Sequence, residues 1–280
     1  MPTRQTLNLN KLQLSYLEWK QAEKPLIALH GLADHGLVWS SLGDYLAPEY
    51  HLIAPDLRGH GESSKPAQGY QFVDYIEDLE GLMNHLGWKD AHILGHSWGA
   101  KLAAIWATQH PERFRSLILV DPFFIDKMPS WFNLTFPVLY KVLPFLKIME
   151  TFPSYEAAEN LAKGLKQYQG WTPLQQQIFQ QGMEQKPDGT WSSKFIKPAR
   201  DEIFEDVMRV AGLTQSLNIP TLFIKPKAGL NRTQWQLKPY KTYLKNLKIE
   251  EVPGNHWAFL VEPEPFNKTI KEFLNQIDQG

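Results

Sequence analysis

Cysteine is absent from the 280-residue chain, and neither sign of charge dominates it. The lack of thiols excludes disulfide bonds, a cysteine nucleophile and thiolate metal sites. It also suits a reducing compartment, so a cytoplasmic location is expected. With 29 basic and 30 acidic residues, the chain lacks the positive excess of a general nucleic-acid-binding protein, and no nucleic-acid partner is expected.

Long hydrophobic runs are absent as well. No uninterrupted apolar stretch reaches the roughly 20 residues that a membrane-spanning helix needs, so no integral membrane segment is predicted. The first residues lead into alternating polar and apolar side chains without the apolar centre of a signal peptide, which argues against export by that route. The chain is 43% hydrophobic, which is enough for one large domain or for a core that carries an insertion.

The most informative stretch contains Gly95, Ser97 and Gly99 in the pattern G-x-S-x-G. It lies between a short apolar run, residues 92–94, and a helical stretch, residues 100–110. A strand that turns this sharply into a helix holds the serine in a strained conformation with its hydroxyl exposed, and the glycines let the two elements approach closely. The pattern is a nucleophile elbow, and it predicts that Ser97 is a catalytic nucleophile.

Two backbone amides are predicted to stabilise negative charge beside Ser97. The amide of Trp98 lies at the start of the predicted helix, where N–H groups lack intrahelical partners and the helix dipole is positive. An apolar run at residues 25–29 ends just before Gly31, which permits a sharp turn. The amide of Leu32 is therefore the predicted second donor.

The fold class follows from the alternation of strand-like and helix-like stretches along the chain. Short apolar runs alternate with helical periodicity, after an initial hairpin, and this is typical of a doubly wound α/β protein with a mostly parallel, eight-stranded sheet. This alternation is absent from residues 123–216, which are rich in aromatic residues and have helical periodicity that prolines divide into short pieces. The predicted organisation is a core in two parts, residues 1–122 and 217–280, with an inserted helical cap at 123–216.

The segment at 123–216 contains more aromatic residues than one small core would bury. Most of them should form the core of the cap, and the excess suggests an apolar acyl or aromatic pocket. The predicted substrate contacts are Phe123, Phe124, Trp131 and Trp257.

Four motifs together resemble the alpha/beta-hydrolase superfamily. They are His30-Gly31, Asp56-x-Arg58-Gly59-His60-Gly61-x-Ser63, Gly95-His96-Ser97-Trp98-Gly99 and Gly254-Asn255-His256, in the order and spacing of that family. The resemblance implies that Ser97 attacks a carbonyl, that His256 is the general base, and that the amides of Leu32 and Trp98 hold the oxyanion. It implies neither a metal nor a cofactor.

The chain departs from the commonest family pattern at the third member of the triad. An aspartate usually follows the strand represented here by residues 222–224, but no acidic residue occurs between Asp206 and Glu250. A histidine without a carboxylate would lose control of its tautomer, so another acid is expected. Some family members place it after the preceding core strand, where this chain has Asp121, and Asp121 is therefore the predicted third member of the triad. Alternatives are Asn231 as a neutral orienter, a cap carboxylate such as Glu202, or no third member.

The first functional interpretation is a serine hydrolase that cleaves a carboxylic ester or thioester with an apolar acyl group through an acyl-serine, without cofactor. The expected substrate is a small molecule, free or attached to a carrier. A serine at position 97, where related dehalogenases and epoxide hydrolases carry aspartate, argues against those two chemistries. Two alternatives stay open: a cofactor-free lyase or elimination catalyst, and a receptor-like member that mainly binds its ligand. The sequence does not indicate an oligomeric state.

Overall fold

The structure, a computed structural model, describes residues 2–9, 12–129, 135 and 143–279. Its centre is an eight-stranded sheet with strand order β1-β2-β4-β3-β5-β6-β9-β10. The sheet strands are β1 (Thr3–Leu9), β2 (Leu12–Lys20), β3 (Lys24–Leu29), β4 (Tyr50–Asp56), β5 (Ala91–His96), β6 (Phe114–Val120), β9 (Thr221–Ala228) and β10 (Leu247–Asn255). The pairs β1–β2 and β2–β4 are antiparallel and the other pairs are parallel. The predicted fold class is confirmed.

The burial of each strand explains its place in the sheet. All residues of β5, and all but the first of β3, are buried, as expected for central parallel strands that are covered on both faces. At one edge, β1 is polar and mostly exposed; at the other, β10 is only partly buried. The apolar runs that predicted the strands therefore mark the middle of the sheet.

Nine α-helices occur in the described residues. They are α1 (Ser40–Leu46), α2 (Phe72–Leu86), α3 (Trp98–Gln109), α4 (Tyr155–Ala162), α5 (Pro173–Gly182), α6 (Lys197–Arg209), α7 (Gln234–Tyr243), α8 (Ala258–Val261) and α9 (Pro263–Gln279). Helix α3 packs on β5 and β6 and contacts α2, whereas α9 packs on α1 and β10. Within the described part of the chain, none of these helices combines the length and hydropathy that crossing a bilayer requires.

Between β6 and β9 the chain leaves the sheet and forms α4, α5 and α6. Helix α5 begins with Thr172, which accepts a hydrogen bond from the amide of Gln175, and Pro173 takes the first helical position. The segment also contains a short antiparallel hairpin, β7 (Met183–Gln185) and β8 (Trp191–Ser193). The segment between β6 and β9 therefore combines helices with one short hairpin, which the sequence did not predict. A tight turn at residues 186–190 favours the hairpin there: the amide of Lys186 donates to the carbonyl of Thr190, and the amide of Gly189 donates to the carbonyl of Lys186.

Candidate active site

Ser97 lies at the turn between β5 and α3 with φ 55° and ψ −116°, a conformation that a side chain rarely adopts. Backbone hydrogen bonds on both sides hold it there: its amide donates to the carbonyl of Val120 over 2.9 Å, and its carbonyl accepts from the amide of Phe123 over 3.2 Å. A Cβ added at Gly99 would lie 2.3 Å from a backbone oxygen, and one at Gly95 would lie 2.4 Å from another. Both positions of the elbow therefore require glycine.

Three side chains from the ends of three parallel strands meet beside this turn. Ser97 follows β5, Asp121 follows β6, and His256 follows β10. The Oγ of Ser97 lies 2.9 Å from Nε2 of His256, and Nδ1 of His256 lies 2.6 Å from Oδ2 of Asp121. Because parallel strands end at one edge of the sheet, residues far apart in the chain form one continuous line of hydrogen bonds.

The carboxylate of Asp121 is completely buried, and four donors surround it. Its Oδ2 accepts from Nδ1–H of His256 and from the amide of Leu230 at 2.7 Å. Its Oδ1 accepts from the amide and the side-chain Nδ2 of Asn231, at 3.1 Å and 2.9 Å. Burial alone would raise the pKa of Asp121, but these hydrogen bonds and the charge of the histidine outweigh it and lower the pKa below its usual value.

The loop after β9 makes room for this carboxylate. A Cβ added at Gly229 would lie 2.6 Å from Oδ2 of Asp121. The strand that carries the acid in the commonest family pattern therefore ends here in a loop that wraps an acid supplied by its neighbour β6.

The two alternatives to Asp121 lie in other environments. Asn231 donates through Nδ2 to Asp121 and to the carbonyl of Pro122, so it contacts the carboxylate and not the histidine. Glu202 accepts from the amides of Gly69 and Tyr70. Among the described residues, the acceptor that faces Nδ1 of His256 is Asp121.

The two residues that carry the predicted oxyanion amides, Leu32 and Trp98, both line the same cavity. Trp98 is the first residue of α3, so its N–H belongs to the first turn, where N–H groups have no intrahelical acceptor. The N–H of Leu32 donates no hydrogen bond to any part of the chain that the structure describes. Both amides are available to a negatively charged oxygen beside Ser97.

A cavity of about 220 Å³ opens onto Ser97 and His256. Its apolar lining within the described ranges includes Leu143, Phe145, Ile203, Phe204, Val207 and Leu230. Of the predicted substrate contacts, Phe123 and Trp257 also line it. Phe124 packs against Phe123 and is 41% exposed, outside this lining. Trp131 lies outside the described residues.

Comparison with known proteins shows which family the chain belongs to. A family described as having the alpha/beta hydrolase fold matches residues 24–263. The chain belongs to the alpha/beta hydrolase family.

Relatives of this alpha/beta hydrolase cover it to different extents. Haloalkane dehalogenase of Bradyrhizobium diazoefficiens is 32% identical over 119 residues, which are 42% of this chain and 38% of that protein, so this match spans well under half of the relative. 2-(Acetamidomethylene)succinate hydrolase of Mesorhizobium japonicum is 27% identical over 262 residues, covering 89% of this chain and 87% of the relative. The crystal structure of E-2-(acetamidomethylene)succinate hydrolase superposes with a TM-score of 0.81 at 21% identity, over 98% of this chain and 100% of that one, which shows a shared fold.

Sequence reasoning missed several residues of the site in this alpha/beta hydrolase. Phe145 and Phe204, from the segment between β6 and β9, line the cavity, but the orientation of such a segment cannot be derived from its composition. Asp34 also lines the cavity and is 6% exposed. The available signal was its position, because it follows the predicted oxyanion donor Leu32 by two residues in a loop at the carboxyl edge of the sheet.

Proposed function

We propose that this protein is a serine hydrolase that cleaves a carboxylic ester or thioester with an apolar acyl group through an acyl-serine intermediate. The observation that carries the proposal is the continuous hydrogen-bonded line from Ser97 Oγ through His256 to Asp121, with distances of 2.9 Å and 2.6 Å. A serine hydroxyl does not ionise by itself near neutral pH, so it needs a base at this distance.

In the first half of the reaction, Ser97 Oγ attacks the carbonyl carbon while Nε2 of His256 accepts the hydroxyl proton. The carbonyl oxygen gains negative charge and is held by the amides of Leu32 and Trp98, each donor contributing roughly 3 kcal/mol to the transition state. Asp121 stabilises the positively charged imidazole that results. The intermediate then breaks the bond to the alcohol or thiol, which leaves with the proton from Nε2.

In the second half, a water molecule attacks the acyl-serine. His256 Nε2 accepts one proton from this water, and the same two amides hold the new oxyanion. Collapse of the intermediate breaks the bond to Ser97 Oγ, which takes the proton back, and releases the carboxylic acid. The enzyme returns to its starting state without an external reductant, oxidant or cofactor.

The nucleophile favours carbonyl substrates over the alkyl halides named for one relative. If a serine hydroxyl displaced a halide from an alkyl carbon, the product on the enzyme would be an ether, which water and a histidine base do not cleave. Attack on a carbonyl instead forms an ester, which the same groups hydrolyse. Ser97 therefore fits acyl transfer, whatever halide chemistry the relative performs.

The cavity favours an apolar acyl group of modest size. Its volume of about 220 Å³ is below the roughly 300–1,000 Å³ that is typical of pockets for drug-sized ligands. Side chains from the segment at residues 123–216, including Phe145, Phe204 and Val207, form much of the described apolar lining. We propose that this segment acts as the cap that shelters the acyl group from water.

The proposal is tested with the purified protein by fluorophosphonate labelling and by p-nitrophenyl esters of increasing acyl length. We expect labelling, a burst of p-nitrophenol that is stoichiometric with enzyme, and steady turnover that favours short and medium acyl chains. Ser97→Ala should abolish all three. The matched control is Ser116→Ala, because Ser116 also lies beside a histidine, with its Oγ 2.8 Å from Nδ1 of His92, but is absent from the lining of the cavity.

Two results would contradict this function. Labelling that persists in Ser97→Ala would place the reactive group elsewhere. Ligands that raise the melting temperature of the wild-type protein without turnover or acylation would indicate a binding protein.

A further inference from the structure

Asp34 is a carboxyl group of the cavity that the proposed mechanism does not use. It lies in the loop after β3, lines the cavity and is 6% exposed. Its Oδ2 accepts a long hydrogen bond of 3.3 Å from Nε1 of Trp257. Its Oδ1 accepts none from the residues that the structure describes. Buried carboxyl groups normally accept hydrogen bonds from several donors, as Asp121 does. Asp34 therefore has unusually few donors for a carboxyl group that is buried this deeply.

His96 presents a second unused acceptor beside Asp34. Nε2 of His96 lies 2.9 Å from the carbonyl oxygen of His256, and a carbonyl only accepts, so Nε2 carries the proton. Burial and the neighbouring His256 lower the pKa of His96 well below its usual value, which keeps the ring neutral. Its Nδ1 is therefore an acceptor, and it is buried without a partner among the described side chains and backbone.

The two acceptor groups lie close together. Nδ1 of His96 lies 3.9 Å from Oδ2 of Asp34. Other polar groups around Asp34 come from the cap and from its own loop: the hydroxyl of Tyr168 interacts with it electrostatically, and the neighbouring His35 directs Nε2 to the carbonyl of Ile178. None of these groups supplies a donor to Oδ1.

We infer that Asp34 and His96 form a polar subsite that binds a hydroxyl or N–H donor carried by the substrate close to its scissile carbonyl. The subsite lies near the reacting atoms, because the ring of His96 packs on that of His256 with centroids 4.5 Å apart. The loop of Asp34 also supplies the Leu32 amide. This inference rests on the proposed function for the identity of the scissile bond, and it adds a polar group to a substrate otherwise described as apolar.

A kinetic comparison of matched esters tests the subsite. The probes are p-nitrophenyl hexanoate and its analogues with a hydroxyl on the second or third carbon. We expect kcat/KM to be about tenfold higher or more for at least one hydroxylated ester, because a site with unpaired buried acceptors discriminates against a ligand that lacks the donor. Asp34→Leu should remove the preference. Asp44→Leu is the matched control, because Asp44 also accepts from an indole, Nε1 of Trp19, but lies outside the cavity lining.

The pH dependence of this preference separates a binding role from a purely structural one. Burial raises the pKa of Asp34 to about 7, although the Trp257 hydrogen bond acts against the shift. The carboxylate, which accepts hydrogen bonds more strongly than the acid, therefore replaces it as the pH rises through neutrality. The ratio of kcat/KM for the hydroxylated ester to that for the plain ester should rise from about pH 6 to about pH 8 and stay flat in Asp34→Asn. Any effect of pH on the catalytic step that is common to both esters cancels from the ratio.

An equilibrium measurement tests the subsite independently of turnover. In a Ser97→Ala background, the matched N-propyl amides of hexanoic acid and the hydroxyhexanoic acids serve as uncleaved ligands for calorimetry. The hydroxylated amide should bind about tenfold more tightly, and the double variant Ser97→Ala/Asp34→Leu should bind both equally. Equal dissociation constants in the single variant would overturn the subsite even if ester hydrolysis by Ser97 is found. A preference that survives Asp34→Asn and Asp34→Leu would overturn the assignment to Asp34. Tighter binding without hydrolysis would support the subsite and refute the proposed function.

Discussion

Replacing Asp121 by asparagine tests the hydrogen-bonded line most directly. The carboxylate accepts four hydrogen bonds, and every partner is a donor. An amide has the same shape but presents an NH₂ on one side. If the NH₂ takes the position of Oδ1, it faces the two donors of Asn231. If it takes the position of Oδ2, it faces the amide of Leu230 and Nδ1 of His256.

The second orientation has a chemical consequence. An NH₂ beside Nδ1 can donate only if the imidazole carries its proton on Nε2. Nε2 then cannot accept the proton of Ser97, and the base is lost. We expect kcat to fall about 10³- to 10⁴-fold in Asp121→Asn, with KM changed little, because the cavity wall is intact.

The same substitution should also cost stability. Either orientation leaves at least one buried donor unpaired, which costs roughly 1–3 kcal/mol of unfolding free energy. Since the folded-state pKa of Asp121 is lowered, its carboxylate contributes stability above the ordinary carboxyl pKa of about 4, and this contribution is lost as the pH falls through the lowered pKa. The stability difference between wild type and variant should therefore be constant near neutral pH and shrink below about pH 4.

The assays are steady-state kinetics with a p-nitrophenyl ester and urea unfolding at several pH values. Asp126→Asn, at an exposed position five residues further along, is the control and should change neither quantity appreciably. The reasoning is refuted if Asp121→Asn retains wild-type kcat while Asn231→Ala loses it. That result would make Asn231 the orienting residue.

Three further substitutions test the packing around the site. Gly229→Ala should lower kcat at least tenfold, because its Cβ would lie 2.6 Å from Oδ2 of Asp121; Gly189→Ala, with no described atom within 4 Å of the added Cβ, should leave kcat unchanged. Lys101→Met removes the amino group that donates to the backbone carbonyls of Phe124 and Val207, at 2.6 Å and 2.5 Å, and should reduce the unfolding free energy in urea by about 2–4 kcal/mol. Gly99→Ala should abolish fluorophosphonate labelling and lower the melting temperature, since the elbow cannot close around the added methyl group; labelling at the wild-type rate would contradict the proposed strain.

Much of the fold was predictable because its signals are local. The apolar runs of β3, β5 and β6 correspond to strands that are buried in the structure, and the parallel sheet follows from their alternation with helices. The β7–β8 hairpin was missed because its strands have three residues each, too few to show a period of two against a helical surrounding.

The lining of the cavity could not be derived in the same way. The sequence is the same whether an aromatic side chain of the cap, such as that of Phe145, faces the cavity or the interior of the cap. Only its packing against neighbours such as Trp257 decides which role it has. The sequence therefore predicted an apolar pocket but not the residues that line it. It also contained no sign that Asp34 would be buried with a single long hydrogen bond.

The sequence by itself determined the elbow, because the strained turn, its two glycines and the following helix are encoded within a few consecutive residues. It also placed the candidate serine, acid and histidine at strand ends, which a parallel sheet brings to one edge. Only the tertiary structure decided which acid faces His256. That choice depends on donors 109 to 135 positions away from Asp121 and on the space left at Gly229, and separation along a chain does not report distance across a sheet.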